Sequence, residues 1–216
     1  MATTKKIKTK DKILLFAVKM FNEQGVQSIT SRHIAVEMGI SHGNLDYHYK
    51  TKEDLLLAIY KQMRKEMSDS YLSRNTYSTA LEHFHHLLIQ LEAFQLKYRF
   101  FNLDVLEISR SFPKISKLLT KTLELRKQQM DDLFQEFIKE GYLKEKKDFD
   151  HGRLQHTIRI IITFWLSQQV VLHNFKYTEN GEMTKHIWEI LLPYLTESGH
   201  KEYDRLIIRF GYFLNR

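Results

Sequence analysis

Apolar residues recur along this chain at intervals of three and four, the spacing that gathers them on one face of an α-helix. From Asp11 to Asn22 the stripe is Ile13, Leu14, Ala17, Val18 and Phe21, and Gly25 follows as a stop signal. Thr30 is placed to cap a short helix containing Ile34, Ala35 and Met38 and ended by Gly39, and Ser41 to cap a third that runs to about Tyr49. Thr51 opens T-K-E-D, a hydroxyl followed three residues on by an acid, which marks a fourth helix. Its stripe of Leu55, Leu56, Ile59, Met63 and Met67 continues towards Tyr71.

Longer helices follow. Tyr77, Leu81, Phe84, Leu88 and Leu91 step by four and three; after a further helix, Pro113 opens one that runs to Gly141. A helix from about Phe149 to His173 is apolar on more than one face, Asn180-Gly181 marks a turn, and Ile187 to Leu195 and Tyr203 to Leu214 supply the last two helices. Two prolines and eight glycines leave few places to break a helix, so an all-α fold is expected. The expected organisation is a three-helix domain over residues 1–50, preceded by an arm over 1–12, a linking helix over 51–74, and a larger helical domain over 75–216.

Charge sharpens this division. Residues 1–66 hold 12 Lys+Arg against 7 Asp+Glu, whereas the remainder holds 21 against 19. Lys5, Lys6, Lys8, Lys10 and Lys12 crowd the arm, a composition suited to lying along phosphates. With no cysteine there is no disulfide framework and no thiolate ligand or nucleophile, and a cytoplasmic location is the default expectation. The longest uncharged window, Ile160 to Phe175, is too short and too polar for a membrane span, and the basic start lacks the apolar core of a signal peptide. The chain is therefore expected neither to be exported nor to cross a membrane.

Eleven histidines invite a search for a metal site. Glu82-His83-Phe84-His85-His86 holds one Glu-x-x-His, but a di-iron bundle needs two copies and two further glutamates. No nucleophile elbow, zinc-protease motif, P-loop or dinucleotide fingerprint is present. An enzyme with a di-iron-like site is the alternative reading, without a second motif behind it; the expectation is a non-enzyme with no metal and no cofactor. A basic architectural DNA-binding protein is a third class, but it has no need of about 140 further residues with their own core.

The stretch GISHGNLDYHYKTKEDL, from Gly39 to Leu55, carries the remaining signal. At 100° per residue, with Leu45 facing inward, Tyr49 falls about 40° and His42 about 60° away, on the core side or its flank, while Gly43 and Tyr47 fall near 160° and 200°. The outward meridian thus holds a residue with no side chain, which costs helix stability and marks a place where another molecule comes close. Asn44 and Asp46 flank it. With the preceding helix and the glycine turn this is a helix-turn-helix, whose second helix enters the major groove of DNA.

The motif resembles the N-terminal signature of the TetR family of bacterial transcriptional repressors over about residues 10–60. The matching features are the Phe21 to Gly25 helix end, Ile34-Ala35, Gly39-Ile40-Ser41, Gly43, Leu45, His48-Tyr49, and Lys52 followed by an acid and Leu55. The resemblance implies a ligand-responsive regulator, acting as a homodimeric repressor on a palindromic site in double-stranded DNA. By the same resemblance Thr30, Ser31 and Arg32 meet phosphate or groove edge; Ser41, His42, Gly43, Asn44 and Tyr47 face bases or backbone; and His48, Tyr49 and Lys52 hold the phosphate side. Asp46 departs from the family, which usually has tyrosine directly after the leucine. The resemblance also implies an apolar effector pocket in the larger domain, with Tyr98, Phe100, Phe101 and Trp165 as candidate lining, and dimerisation through the helix from Phe149 to His173 and that around Ile187 to Leu195. The effector itself is unknown.

Overall fold

The computed structural model describes residues 8–145, 150–172 and 176–212. The arm lysines Lys5 and Lys6 and the expected helix ends at Phe149, His173 and Leu214 lie outside the described residues. Among those described the fold is all-α, and they form two compact units: residues up to 65 together with 98–121, and 66–97 together with the chain beyond 121.

The first unit opens with α1 (Thr9–Gln24), α2 (Ser31–Glu37) and α3 (His42–His48). α1 buries Ile13, Ala17 and Phe21 and ends where Gly25 adopts φ 78° and returns its N–H to the Phe21 carbonyl. The first part of α4 (Lys52–Leu72) adds Leu55, Leu56 and Ile59, all buried. Thr51 caps α4 by accepting the Asp54 N–H at 3.1 Å, and the Asp54 carboxylate receives the Thr51 hydroxyl at 2.8 Å, which holds that acid below its ordinary range. Two short helices, α6 (Arg99–Leu103) and α7 (Val105–Ser111), and the start of α8 (Pro113–Lys139) complete this unit. Phe100 packs on Phe21 with ring centroids 5.4 Å apart, and the Phe100 N–H donates to Asn22 Oδ1 at 3.0 Å.

The second unit is built on α5 (Ala80–Lys97), the remainder of α8, α9 (His151–Val171), α10 (Glu182–Leu191) and α11 (Glu197–Phe210). Its core includes Phe84, Phe137 and Trp188, with Phe84 edge-on to both neighbours at 5.5 and 5.7 Å. Two helices begin earlier than their apolar spacing predicts. α10 starts at Glu182 because the buried Glu92 carboxylate of α5 accepts the Gly181 N–H at 2.8 Å and the Thr184 hydroxyl at 3.2 Å, supplying acceptors for its first turn. Gly181 stands at φ 90°, and a Cβ there would press on the Tyr212 backbone at 2.8 Å. α11 starts at Glu197 because Thr196 caps it, accepting the Gly199 N–H at 3.1 Å.

Candidate nucleic-acid interface

The α2–α3 pair is fixed by local chemistry. Thr30 and His33 form a reciprocal cap: the His33 N–H donates to Thr30 Oγ1 at 3.3 Å, and the Thr30 N–H to His33 Nδ1 at 3.4 Å. α2 ends through Gly39 at φ 64°, a conformation that excludes most side chains, and the Ile40 N–H returns to the Ala35 carbonyl at 3.0 Å. Ser41 caps α3 by accepting the Asn44 N–H at 3.2 Å. Leu45 is fully buried and sets the rotation of α3, so that His42, Gly43, Asn44 and Tyr47 face solvent; Tyr47 is 84% exposed.

Among the described residues nothing requires glycine at position 43. Its φ is not positive, and a Cβ built there meets nothing within 4 Å. Its cost to the helix of about 0.5–1 kcal/mol is therefore uncompensated inside the protein. Beside it the His48 ring packs edge-on against Tyr47, centroids 5.2 Å apart, which steadies the exposed phenol. His42 Nδ1 lies 3.2 Å from the Asp46 carboxylate one turn along. Arg32 is exposed at the start of α2, next to half-buried Ser31.

Two residues expected at the phosphate side turn inward. Tyr49 is 4% exposed, packs in the core and points its hydroxyl at the Lys10 carbonyl, 3.5 Å away. Burial, with a smaller contribution from Asp11, pushes its phenol up to about 12. The Lys52 ammonium donates to the Val26 carbonyl; its burial lowers its pKa, against an opposing pull from Asp104. Both residues brace the motif from below, and the angle of Tyr49 beside Leu45 is the sequence signal for this.

The candidate effector residues fall in different units. Tyr98, Phe100 and Phe101 are core residues of the first unit, Tyr98 accepting from Gln62 at 3.3 Å and Phe101 stacked on Tyr60 at 4.9 Å. Trp165 is buried in the second unit, beside a recess of about 30 Å³. An open cavity of about 310 Å³ lies elsewhere in that unit, among Glu66, Met67, Ser70, Gln90, Phe94 and Lys97, with Ala93 at its wall and the Lys97 ammonium 2.9 Å from Glu66. The small residues Ser70 and Ala93 on otherwise bulky faces of α4 and α5 are the signal that sequence reading passed over. Glu82 and the histidines are engaged internally: Arg205 donates to Glu82 at 3.0 Å, His83 contacts the Ser70 carbonyl at 3.2 Å, and Trp188 donates to His85 at 3.1 Å. Among the described residues no three His, Cys, Asp or Glu are grouped to hold a metal, and no helix is long and apolar enough to cross a membrane.

Comparison with known proteins bears on both units. Residues 13–59 match the model of bacterial regulatory proteins of the tetR family, and residues 62–203 match a bacterial transcriptional repressor model named TetR. An HTH-type transcriptional regulator of Staphylococcus aureus is 34% identical over a stretch covering 31% of this chain and 40% of that protein. The chain thus matches about two fifths of that relative's length. A TetR-family regulator from Marinobacter aquaeolei superposes with a TM-score of 0.83 at 23% identity, covering 96% of this chain and all of the other. A regulator from Saccharomonospora viridis, solved in complex with choline, gives 0.71 at 22% identity over 87% of this chain and 97% of its own.

Proposed function

Because this chain belongs to the TetR family of bacterial transcriptional regulators, we propose that it binds an operator in double-stranded DNA and represses the genes beside it. The observation that carries this reading is the outward face of α3, where a Cβ on Gly43 would meet nothing within 4 Å among the described residues and the neighbouring Tyr47 is 84% exposed. Such a ridge suits the floor of a major groove, with His42 and Asn44 directed at base edges and Arg32 at the backbone. The protein acts in the cytoplasm as a homodimer, two α3 helices reaching successive major grooves roughly 34 Å apart on a palindromic site.

The dimer reading is supported by α9, which exposes Ile160, Phe164 and Val171 along its length. α10 offers less than its sequence promised, since Met183, Ile187, Trp188 and Leu191 are all buried in the unit core. A small effector is proposed to occupy the cavity bounded by Glu66, Phe94 and Lys97 and to shift the population away from the DNA-binding state. Fluorescence anisotropy against fragments of the source genome, at several salt concentrations, tests the reading. Sequence-selective binding with a steep salt dependence is expected; uniform weak binding to every fragment would reject it.

A further inference from the structure

One stripe of α4, with Glu66 and Met67, and one stripe of α5, with Gln90, Phe94 and Lys97, border the open cavity of about 310 Å³ in the second unit. The α5 positions step by four and three, so they share a face of that helix, and Gln90 and Lys97 stand about 10 Å apart along it. Ser70, one turn on from Glu66, and Ala93, next to Phe94, leave the space that bulkier side chains would fill. The volume falls at the lower end of small-molecule sites.

Glu66 and Lys97 are the charged residues of this lining, and they face each other. The Lys97 ammonium donates to both carboxylate oxygens of Glu66, at 3.0 and 2.9 Å. The two partners are not equally held. Glu66 lies in the body of α4 with its side chain 33% exposed, whereas Lys97 is the last residue of α5, is 53% exposed and carries its charge on a flexible four-carbon stem. Returning that ammonium to water costs little, because an exposed ion pair contributes little. A second ammonium group can therefore take the same two oxygens. An anion has no equivalent entry: it would have to part the more enclosed carboxylate from Lys97 and then lie against it. Buried Met67 and half-buried Phe94 put apolar surface beside the charge. The complementary molecule joins one cationic head to a short hydrocarbon body.

We infer that the cavity binds a small amphipathic amine, whose ammonium replaces that of Lys97 on Glu66 while its hydrocarbon lies along Met67 and Phe94. Lys97 is then an internal competitor that occupies the carboxylate when no ligand is bound. The inference rests on the effector reading above and gives that effector a chemical class.

Calorimetric titration of the full chain, without DNA, with hexylammonium, hexanoate and hexanol tests it, since the three share a tail and differ in head group. Saturable binding of hexylammonium is expected, one per chain, with hexanoate and hexanol weaker. Glu66→Gln is expected to weaken it about tenfold or more, and Lys97→Ala to tighten it about 2- to 5-fold. The opposite signs are decisive, because loss of a merely structural ion pair would move both variants the same way. No binding of hexylammonium, tighter binding of either control, equal affinity in wild type and Glu66→Gln, or weaker binding in Lys97→Ala would each overturn the inference. Unaltered helical circular dichroism of both variants separates these outcomes from misfolding, and the head-group series on the wild type needs no variant. Failure of the titration leaves the DNA-binding reading intact. A protein that binds hexylammonium in this way yet keeps its operator would refute effector control and support the ligand class.

Discussion

The Asp104 carboxylate accepts the backbone N–H of Val26 at 2.8 Å, tying the turn after α1 to a residue 78 positions away. Lys52 holds the same residue from its other side, donating to the Val26 carbonyl, and the Gln27 amide reaches Glu107 at 2.7 Å. The turn that spaces α1 from α2 is thus clamped by α4 and by the α6–α7 segment.

Asp104→Ala removes the acceptor of a partly buried N–H, and the expected loss is about 1–3 kcal/mol of stability. Chemical denaturation should show a lowered midpoint with unchanged slope. DNA affinity should weaken as well, because the spacing of α1 from the helix-turn-helix is no longer fixed. Wild-type stability in this variant would mean that the clamp is idle.

Gly43→Ala separates folding from binding. Nothing lies within 4 Å of the added Cβ and φ is not positive, so the folded protein should gain about 0.5–1 kcal/mol. Operator affinity should fall, since the ridge was kept bare for another surface. A variant that is more stable and binds equally well would remove the argument from Gly43.

Tyr47→Ala and Lys8→Ala probe two kinds of contact. Loss of the exposed phenol should cost about tenfold or more on the selected operator and little on random DNA. Loss of the exposed Lys8 charge should weaken all sequences alike and reduce the salt slope by about one. Titrations of both duplexes at three salt concentrations distinguish them, and equal effects would merge the two roles.

Acid should destabilise the second unit. Burial lowers His83, His85 and His86, and brings His85 to about 4 from 6.5. For His85 the folded state is the one that stays deprotonated, so between pH 6.5 and 4 the unfolded chain binds the extra proton and stability declines as pH falls through that window. Above it the contribution is complete. Glu92, raised by its own burial, acts in the opposite sense over the carboxylate range. Thermal midpoints between pH 7.5 and 4.5 should fall, with a flatter profile for His85→Gln; a flat wild-type profile would contradict the burial of this ring.

Phe164→Asp places a charge at a 54%-exposed position of α9. Sedimentation at micromolar concentration should give a dimer for the wild type and a monomer for this variant, with helical content preserved. A wild-type monomer would dispose of the dimer proposal.

What could be read from sequence was what local rules govern. The hydroxyls of Thr30 and Ser41 cap where their positions predicted, Gly39 makes the turn, and the angle of Leu45 assigns the inner and outer faces of α3. Contacts distant in sequence were hidden. No periodicity reports that Glu92 opens α10, that Asp104 holds Val26, or that Tyr98 and Phe100 fill the core of the first unit rather than line a cavity. For Asp46 the departure from the family pattern was visible, as were His42 and His48 as neighbours it could orient; that His42 is the one approached, at 3.2 Å, required coordinates.

One buried carboxylate supplies the acceptors for the opening turn of α10 while belonging to the middle of α5. The Gly181 amide is therefore expected to exchange hydrogen only when α5 lets go, which would join the start of α10 to α5 in one local unfolding event. Labelling in heavy water would find them protected to the same depth, a cooperative block within which a ligand resting on one helix is felt by the other.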